Sequence, residues 1–488
     1  MQQACYLILD QGGQSSRALI INSHGDTLAC ESVPVATRHP AEDQVEQDAE
    51  ALVASLLDVA HRAVASLPGE QVKNLVAAGL VTQRSSLLCW QAKTFEPLTP
   101  VISWQDRRAH AWLEQLNIEP HWFRRHTGLY PNAHYGASKI NWCLNNLPDV
   151  SQAFVSGALC CGPLATYLAA RLTGSHQPLL DPANAQRTGL YNIEQGSWDA
   201  DLLRLFDIPE KILPTLVKTI SSYGLIPLGG KNVPLRLVNG DQSAAIFAHG
   251  EPQLDSAYIN AGTGAFVTAP WEGDHYPEQL LKSIVYKDVE SHYVVEGTVN
   301  GAGSALNWAA EQLQLQNLEE LDHWARVCEH VPIFINAVGG LGAPYWRADM
   351  VSEFIDVENG RIWSDQQKMV AVLESIVFLL QTNLQLMQAY GFRPQRLVVS
   401  GGLSQLDNFC QKLADLSRIP VWRPDQVEAS ACGAAFLLAR HSRPKELGKL
   451  NWKTLGGAAF APSETGHEVL NQRFHNWREA LQTRLSLG

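Results

Sequence analysis

The segment Tyr6-Leu-Ile-Leu-Asp-Gln-Gly-Gly-Gln-Ser-Ser-Arg-Ala-Leu-Ile-Ile21 has the pattern of an apolar strand, a turn of small polar residues and a second apolar strand. A similar pattern, Tyr258-Ile-Asn-Ala-Gly-Thr-Gly-Ala-Phe-Val267, begins about half the chain further on. Turns of this kind expose backbone N–H groups that can bind phosphate oxygens. The two hairpins therefore predict duplicated halves that hold a nucleotide between two domains.

The length and composition indicate a soluble globular protein of two large domains. The chain has 488 residues, which is too many for one ordinary core. Its hydrophobic content of 45% and charged content of 18% are ordinary values. A net charge of −12 argues against nucleic-acid and membrane-surface binding, since both favour a basic face. We therefore expect a small-molecule ligand, with neither nucleic acid nor membrane as a partner.

The cysteines and the N-terminus favour a cytoplasmic location. The nine cysteines include no CxxC pair, which is typical of reduced core thiols. The first residues lack the basic region and cleavage site of a signal peptide. The apolar stretch 369–387 contains Glu374, Gln381 and Gln385, which indicates a buried core helix rather than a membrane span.

Apolar periodicity along the chain predicts α/β layering. Apolar residues recur at helical spacing over 52–67, and 75–81 is a near-continuous apolar run typical of a buried strand. The second half repeats this order, with a long helix at 369–387 and a strand at 396–400 that leads into Gly401-Gly402. We place the domain boundary near Gly250, which gives domains of residues 1–248 and 249–488.

Two aspartates stand where phosphoryl transfer would need them, although each also has an ordinary structural explanation. Asp10 ends the first strand beside the turn, where a carboxylate can bind Mg²⁺ or simply cap the turn. Asp241 follows Gly240 at a predicted helix start. There it can be an N-cap, or a general base that takes a proton from a substrate hydroxyl group.

Glycine-rich turns offer further phosphate contacts, and several common motifs are missing. Gly262-Thr263-Gly264 and Gly401-Gly402 can bring backbone close to a ligand, although each is also an ordinary turn. The sequence has neither GxxxxGK[ST] nor GxGxxG, which disfavours P-loop and dinucleotide-binding folds. It also lacks zinc-ligand spacing and the GxSxG elbow of hydrolases.

Taken in order, these segments resemble the FGGY family of carbohydrate kinases, and within it the glycerol kinases most. Segment 10–17 (DQGGQSSR) resembles the family's DQGTTSSR, and 82–85 (TQRS) resembles its NQRE. Segments 103–108, 184–188 and 240–242 are similar to its WQDRR, NASRT and GDQ. No single segment is specific, but the ordered set spans nearly the whole chain.

The resemblance implies an α/β fold of two RNase H-like (actin-like ATPase) domains around a central catalytic cleft. It implies transfer of the γ-phosphoryl group of Mg-ATP to a hydroxyl group of a small polyol or sugar. The N-terminal domain would hold substrate and the catalytic base, and the C-terminal domain would hold the nucleotide.

The resemblance also implies roles for individual residues. Asp241 would be the general base, and Asp10 and Asp241 would face the magnesium ion. Six residues would contact substrate: Arg84, Ser85, Trp104, His134, Gln242 and Phe266. Nine would contact the nucleotide: Gly13, Gln14, Ser15, Arg17, Gly262, Thr263, Gly303, Asn307 and Gly402. Trp104 and Phe266 can equally be core aromatics, and Arg84 a structural ion-pair partner.

Several positions depart from the family's motifs. Gly13 and Gln14 stand in place of two threonines, and Ser85 stands in place of a glutamate that would accept hydrogen bonds from substrate hydroxyls. His134 stands in place of a tyrosine, and Leu406 in place of an asparagine that would face adenine. Because polar patterns dominate discrimination among hydroxylated ligands, we expect a preferred substrate other than glycerol.

Two other functions stay open at this point. The altered first loop is also compatible with a catalytically weak kinase-like protein that binds a sugar or nucleotide and signals by domain closure. A chaperone-like or cytoskeletal ATPase is a weaker alternative, because such proteins do not need the segments around Arg84 and Trp104. A homodimer is one assembly that the sequence leaves open.

Overall fold

The protein has a mixed α/β structure with two compact units. The computed structural model describes residues 3–273, 275–355, 360–425, 428–442, 452 and 456–487. The first unit comprises Met1–Glu251, Ser283–Tyr293 and Glu428–Thr454. The second comprises Pro252–Lys282, Val294–Val427 and Leu455–Gly488. Two short segments from the second half of the chain thus belong to the first unit.

The elements of the first half alternate between strands and helices. The strands are β1 (Cys5–Gln11), β2 (Ser15–Asn22), β3 (Thr27–Pro34), β4 (Glu46–Gln47), β5 (Leu75–Thr82), β6 (Leu87–Gln91), β7 (Val101–Ile102), β8 (Leu159–Pro163), β9 (Leu179–Leu180), β10 (Tyr191–Asn192), β11 (Ser197–Trp198), β12 (Thr215–Leu216), β13 (Ile220–Leu228) and β14 (Lys231–Gly240). The helices are α1 (Ala49–Ala65), α2 (Gly69–Lys73), α3 (His110–Gln115), α4 (Pro120–Thr127), α5 (Gly136–Asn146), α6 (Pro148–Val155), α7 (Leu164–Thr173), α8 (Pro182–Gln186), α9 (Ala200–Leu205) and α10 (Asp241–Ala245), with a 3₁₀ turn at Glu210–Ile212.

The second half continues the alternation. Its strands are β15 (Ser256–Ala261), β16 (Ala265–Pro270), β17 (Leu281–Lys287), β18 (Ser291–Val299), β19 (Ile333–Ile335), β20 (Glu353–Ile355), β21 (Arg396–Ser400), β22 (Val421–Pro424) and β23 (Gly457–Phe460). Its helices are α11 (Gly303–Gln312), α12 (Leu321–Val327), α13 (Asp365–Ala389), α14 (Asp407–Ser417), α15 (Ala429–Ser442) and α16 (Glu464–Leu487), with a 3₁₀ turn at Gly402–Gln405.

The first unit is built on a six-stranded sheet in the order β13-β14-β5-β1-β2-β3. Strand β5 is parallel to β1 and to β14, whereas β1 and β2 form the expected antiparallel hairpin. The central strands are almost entirely apolar because helices cover both faces. On one face Leu7 and Leu9 share a core cluster with residues of α1 and α7. On the other, an added Cβ on Gly79 would lie 3.3 Å from Ile8 and 3.4 Å from Leu438 of α15.

Helix α1 shows why the predicted helix forms where it does. The Asp48 side chain accepts a hydrogen bond from Ala51 N at 2.9 Å, which caps the helix. Leu52, Leu56 and Val59 then return to the same side and are buried against the sheet. The helical spacing read from the sequence is confirmed.

A seven-stranded sheet has the order β17-β18-β16-β15-β21-β22-β23, and its strands β15, β16, β21, β22 and β23 belong to the second unit. Strand β15 is antiparallel to β16 and parallel to β21, which confirms the second predicted hairpin. Helix α13 is long and apolar enough to cross a membrane, but 83% of its most apolar window is buried inside the protein. Its placement in the main core cluster confirms the expected core helix. All nine cysteines are free thiols.

Candidate functional site

The polar residues of the first unit meet at one edge of its sheet. The register pairs Asp10 with Val81 and Gly240 with Thr82. Three parallel strands, β1, β5 and β14, thus end side by side, and Asp241 follows at once in α10. Adjacent strands lie about 4.8 Å apart, so the backbones of Asp10 and Asp241 are separated by roughly 10 Å. Ligands of open α/β sheets bind at such carboxyl ends.

Asp10 is a buried carboxylate held beside a guanidinium group. It is only 3% exposed, and Arg17, its partner across the hairpin, places NH2 3.5 Å from Asp10 Oδ2. Arg17 also forms a short ion pair with Glu428, from the segment that joins this unit late in the chain. The pKa of Asp10 is raised to about 7, mainly by burial and to a smaller extent by Asp241 and Glu428, while Arg17 acts in the opposite direction. A cation near Asp10 would relieve this unfavourable burial.

Asp241 is the first residue of α10, and Gly240 is its N-cap. The N-cap explanation of Asp241 is therefore wrong, because Asp241 is the first helical residue and Gly240 occupies the cap position. Gln242 N donates to Asp241 Oδ1 at 2.7 Å. Burial raises the pKa of Asp241, whereas Arg84, the Gln242 N–H, Arg187 and Arg17 lower it. A carboxylate with a raised pKa is a better proton acceptor than an ordinary aspartate.

Arg84 reaches this edge because Gly240 leaves room for it. An added Cβ on Gly240 would lie 2.6 Å from Arg84 Cγ and 2.7 Å from its Cδ. The side chain of Arg84 therefore crosses the backbone directly before Asp241. This close approach requires glycine at position 240.

The tip of the first loop, Gly13 to Ser15, lies beside two other polar side chains. Gly12 N donates to Ser15 O at 3.0 Å, which closes the turn. A Cβ on Gly13 would lie 3.6 Å from Gln83 Oε1 and 3.8 Å from Trp104 Nε1. The backbone of Gly13 is outside the left-handed region, so the turn does not itself require glycine there. What glycine provides is space next to Gln83 and Trp104.

Trp104 and His134 form an aromatic wall in the same unit. Their rings meet edge to face, with centroids 5.5 Å apart. Lys139 Nζ joins the two segments by donating to Ser103 O at 2.7 Å and to His134 O at 3.1 Å. Burial holds the pKa of His134 well below its usual value, and nearby cations lower it further: Arg107, Lys139, Arg187 and Arg84. The imidazole is therefore neutral near pH 7.

Ser85 is the most unusual residue at this edge. It has a φ of 66°, in the left-handed region that non-glycine residues seldom adopt. It is 4% exposed, and its hydroxyl group has no hydrogen-bond partner among the described residues. A buried hydroxyl without a partner at a functional edge points to a polar ligand. Arg84, Ser85, Trp104, His134, Asp241 and Gln242 all belong to this first unit.

The second unit brings together a separate set of glycines at the ends of β15 and β21. Gly303 N donates to Gly262 O at 2.9 Å, and Ser304 N donates to Thr263 O at 3.0 Å. An added Cβ on Gly303 would lie 2.9 Å from Gly262 O, so glycine is needed there. Nothing lies within 4 Å of a Cβ on Gly402, which leaves its backbone open to a flat ligand.

Two predicted residues lie around this glycine cluster. Asn307 is exposed on α11, about one turn after Gly303. Phe266 is half-buried on β16, opposite Asn260. Phe266 therefore belongs to the second unit, whereas the other five candidate substrate residues belong to the first.

The donor set at Asp10 and Asp241 fits a magnesium ion that keeps other ligands. The described residues contain no group of three or more His, Cys, Asp or Glu side chains arranged to hold a metal ion. Magnesium usually binds through one or two carboxylates, with water and phosphate oxygens completing its shell. Two acidic groups with pKa values raised by burial match this pattern.

Sequence reasoning missed several residues at this edge. Gln83 and Arg187 lie within motifs that resemble those of the family, but only their neighbours drew attention. Glu428 reaches Arg17 from 411 positions away, and Gln47 and Lys139 carry no motif. Only long-range pairing reveals these three.

Comparison with known proteins decides the family. Residues 5–248 match the N-terminal domain of the FGGY family of carbohydrate kinases, and residues 257–442 match its C-terminal domain. The chain belongs to the FGGY family of carbohydrate kinases. As a member it is a phosphotransferase with an alcohol group as acceptor, and kinase membership implies use of ATP and a small-molecule carbohydrate substrate. The resemblance read from the motifs is confirmed.

Named relatives of this FGGY kinase span almost its whole length. It is 32% identical over 445 residues to the glycerol kinase of Deinococcus radiodurans, covering 88% of this chain and 87% of that one. It is 33% identical over 493 residues to the glycerol kinase of Trichlorobacter lovleyi, covering 98% of each. This relationship does not favour the catalytically weak alternative.

Solved structures confirm the fold. The glycerol kinase of Plasmodium falciparum with ADP has a TM-score of 0.85 at 23% identity, covering 98% of both chains. The xylulose kinase of Lactobacillus acidophilus also has a TM-score of 0.85, at 19% identity and 98% coverage of both chains. Together with the two-unit α/β architecture, these likenesses bear out the actin-like ATPase fold expected from the sequence.

Proposed function

We propose that this chain transfers the γ-phosphoryl group of ATP to a hydroxyl group of a small polyol or sugar other than glycerol. In this proposal Asp241 takes the proton of the acceptor hydroxyl group. The acceptor oxygen then forms its bond to the γ-phosphorus as the bond to the bridging oxygen of ADP breaks. ADP and a phosphate ester are the products.

The environment of Asp241 is the observation that carries the proposal. Its carboxylate stands at the carboxyl edge of three parallel strands, and its pKa is raised by burial. Arg84 and Arg187 lower that pKa, so both act electrostatically on the carboxylate from nearby. A carboxylate base with a raised pKa, together with fixed cations, is what transfer to an alcohol needs.

The remaining roles follow from the same edge. Asp10 and Asp241 would hold a magnesium ion, which supplies charge neutralisation for the phosphoryl group. Arg17 and the turn at 13–15 would contact phosphates, while Trp104 and His134 would pack against the carbon skeleton of the substrate. We assign residues 1–248 to the substrate and the base, and residues 249–488 to the nucleotide. There Gly262, Thr263, Gly303, Asn307 and Gly402 are the proposed contacts.

The substrate preference rests on Ser85. A carboxylate at this position would accept hydrogen bonds from two adjacent hydroxyl groups, whereas a serine hydroxyl offers a different polar pattern. Sites built around a hydroxyl pattern reject ligands that leave their buried groups unpaired. The unpartnered, buried Ser85 Oγ supports a substrate whose hydroxyl arrangement differs from that of glycerol.

The test is a screen of C3–C6 polyols and ketoses with coupled detection of ADP. We expect phosphorylation of at least one compound, with a rate above that for glycerol. Asp241→Asn should lower kcat by about 10² to 10⁴-fold, because the base is lost. Asp181→Asn is the matched control: Asp181 is another aspartate of the first unit and is buried, but it caps α8 by accepting from Asn184 N at 3.1 Å. It should retain kcat within a few-fold.

Three results would contradict the proposal. Full turnover by Asp241→Asn would remove the base assignment. Thermal stabilisation by a sugar without any phosphorylated product would favour a binding protein. ATP hydrolysis that no polyol affects would favour an ATPase of another kind.

We also propose a cytoplasmic enzyme that acts without nucleic-acid or membrane partners. The net charge of −12 supports this proposal. A homodimer belongs to the proposal as well, and size-exclusion chromatography with light scattering tests it.

A further inference from the structure

Gln83 presents a buried hydrogen-bond acceptor that none of the described residues uses. It directly follows β5 and is 3% exposed. Its Nε2 donates to Gln47 Oε1 at 2.7 Å, but its Oε1 has no partner among the described residues. Buried acceptors are nearly always hydrogen-bonded, so an open one at a functional edge points to a donor on a ligand.

The space beside Gly13 shows where that donor would lie. An added Cβ there would be 3.6 Å from Gln83 Oε1 and 3.8 Å from Trp104 Nε1, both ordinary contact distances. The backbone would accept a side chain, so its absence leaves room bordered by one acceptor and one donor. An alcohol both donates and accepts a hydrogen bond, and so matches this pair of groups.

A chain of hydrogen bonds fixes which way Gln83 points. Gly13 O can only accept, and Gln47 Nε2 donates to it at 2.8 Å. The Oε1 atom of Gln47 therefore faces Gln83, and the NH₂ group of Gln83 donates a hydrogen bond to it. Gln47 is itself 2% exposed and also donates to Thr37 Oγ1 at 3.2 Å. The acceptor of Gln83 is thereby left directed away from Gln47.

We propose that Gln83 is a further specificity-determining residue, whose Oε1 accepts a hydrogen bond from a second substrate hydroxyl group in the space beside Gly13. Trp104 Nε1 donates to the same hydroxyl oxygen. Gln47 is a positioning residue that holds the amide of Gln83 in orientation. The inference rests on the proposed function and assigns one further hydroxyl group of the polyol or sugar to recognition by Gln83 and Trp104.

The experiment compares the best substrate of the screen with its mono-deoxy analogues. The natural protein should reject one analogue by about 10- to 100-fold in kcat/KM, because that analogue leaves Gln83 unpaired. In Gln83→Met this discrimination should shrink to within about 3-fold. The loss should come from a higher KM for the parent compound, with little change in kcat.

Three further variants separate the roles. Gly13→Ala should abolish the same discrimination by filling the space, and its Cβ makes only ordinary contacts. Gln47→Leu should weaken discrimination at that one hydroxyl group and raise KM, because the side-chain amide of Gln83 is then free to rotate. Gln115→Met, on the exposed surface of α3, is the control for a glutamine-to-methionine change and should behave as the natural protein.

Some outcomes would overturn the inference. An equal fall in kcat/KM for the parent and for every deoxy analogue in Gln83→Met would make Gln83 merely structural. If Gln83→Met does not fold, retained discrimination in Gly13→Ala would be equally decisive. The same panel is also read as ligand-induced change in Tm, which needs no turnover. Hydroxyl-specific stabilisation without phosphorylation would refute the proposed function alone, whereas absence of binding to any member would refute both.

Discussion

Gly433→Ala should damage both stability and catalysis, although it adds only one methyl group. Gly433 lies in α15, where an added Cβ would be 1.8 Å from Ala244 O and 2.7 Å from Ala244 C, in α10. One helix must move away by about 1.5 Å to restore ordinary contact. Overpacking of this size costs about 1–3 kcal/mol, which corresponds to a fall in Tm of roughly 3–10 °C.

The same displacement acts on the proposed base. Asp241 begins α10, three residues before Ala244. A misplacement of about 1 Å at a reacting group can cost about 10²-fold in rate. We therefore expect kcat to fall by one to two orders of magnitude at temperatures where the variant is still folded. Circular dichroism melts and coupled ADP release measure the two effects separately.

Gly69→Ala provides the matched control. Gly69 begins α2, and nothing lies within 4 Å of an added Cβ there. This change should leave kcat unaltered and be neutral or slightly stabilising. Intrinsic propensity favours alanine over glycine by about 1 kcal/mol in a helix interior, which is where Gly433 lies. If Gly433→Ala were also neutral or stabilising, the argument from the α10–α15 contact would be refuted.

Two other predictions concern pH and specificity. Burial lowers the pKa of Lys139 to about 7, so the unfolded chain binds more protons than the folded chain between about pH 7 and 10.5. The free energy of unfolding should therefore rise with pH across this window, by at most about 1.4 kcal/mol per pH unit. In urea unfolding at several pH values, Lys139→Met should flatten this slope. An unchanged slope would exclude Lys139 as its source. Ser85→Glu should raise kcat/KM for glycerol relative to the preferred substrate by about 10-fold or more. An unaltered ratio in steady-state kinetics would show that position 85 does not set specificity.

Local sequence patterns predicted much of the fold. Each hairpin is visible because apolar runs flank small polar residues, and α1 and α13 are visible from their periodicity. These patterns depend only on residues close in sequence, so they can be interpreted without the tertiary structure. Asp10 and Asp241 could be singled out for the same reason, since each stands at the end of a recognisable element.

The assembly of the site depends on contacts that no local pattern encodes. Parallel strands are joined by long crossovers, so their register cannot be read from the strands alone. That register sets Asp10 beside Val81 and Gly240 beside Thr82. Tertiary structure also decides which charged groups lie close enough to interact. Asp241 and Glu428 raise the pKa of Asp10 for this reason.

The two hairpins illustrate the division. Their strands and turns follow from residues within a short window, because backbone propensity and side-chain alternation act locally. The surroundings of the first turn do not follow from such a window. Gln47 and Gln83 approach Gly13 from elements distant in sequence, and Glu428 pairs with Arg17 from late in the chain. Hydrogen bonds and ion pairs act between neighbours in space, so only the folded chain reveals what the space beside Gly13 can bind.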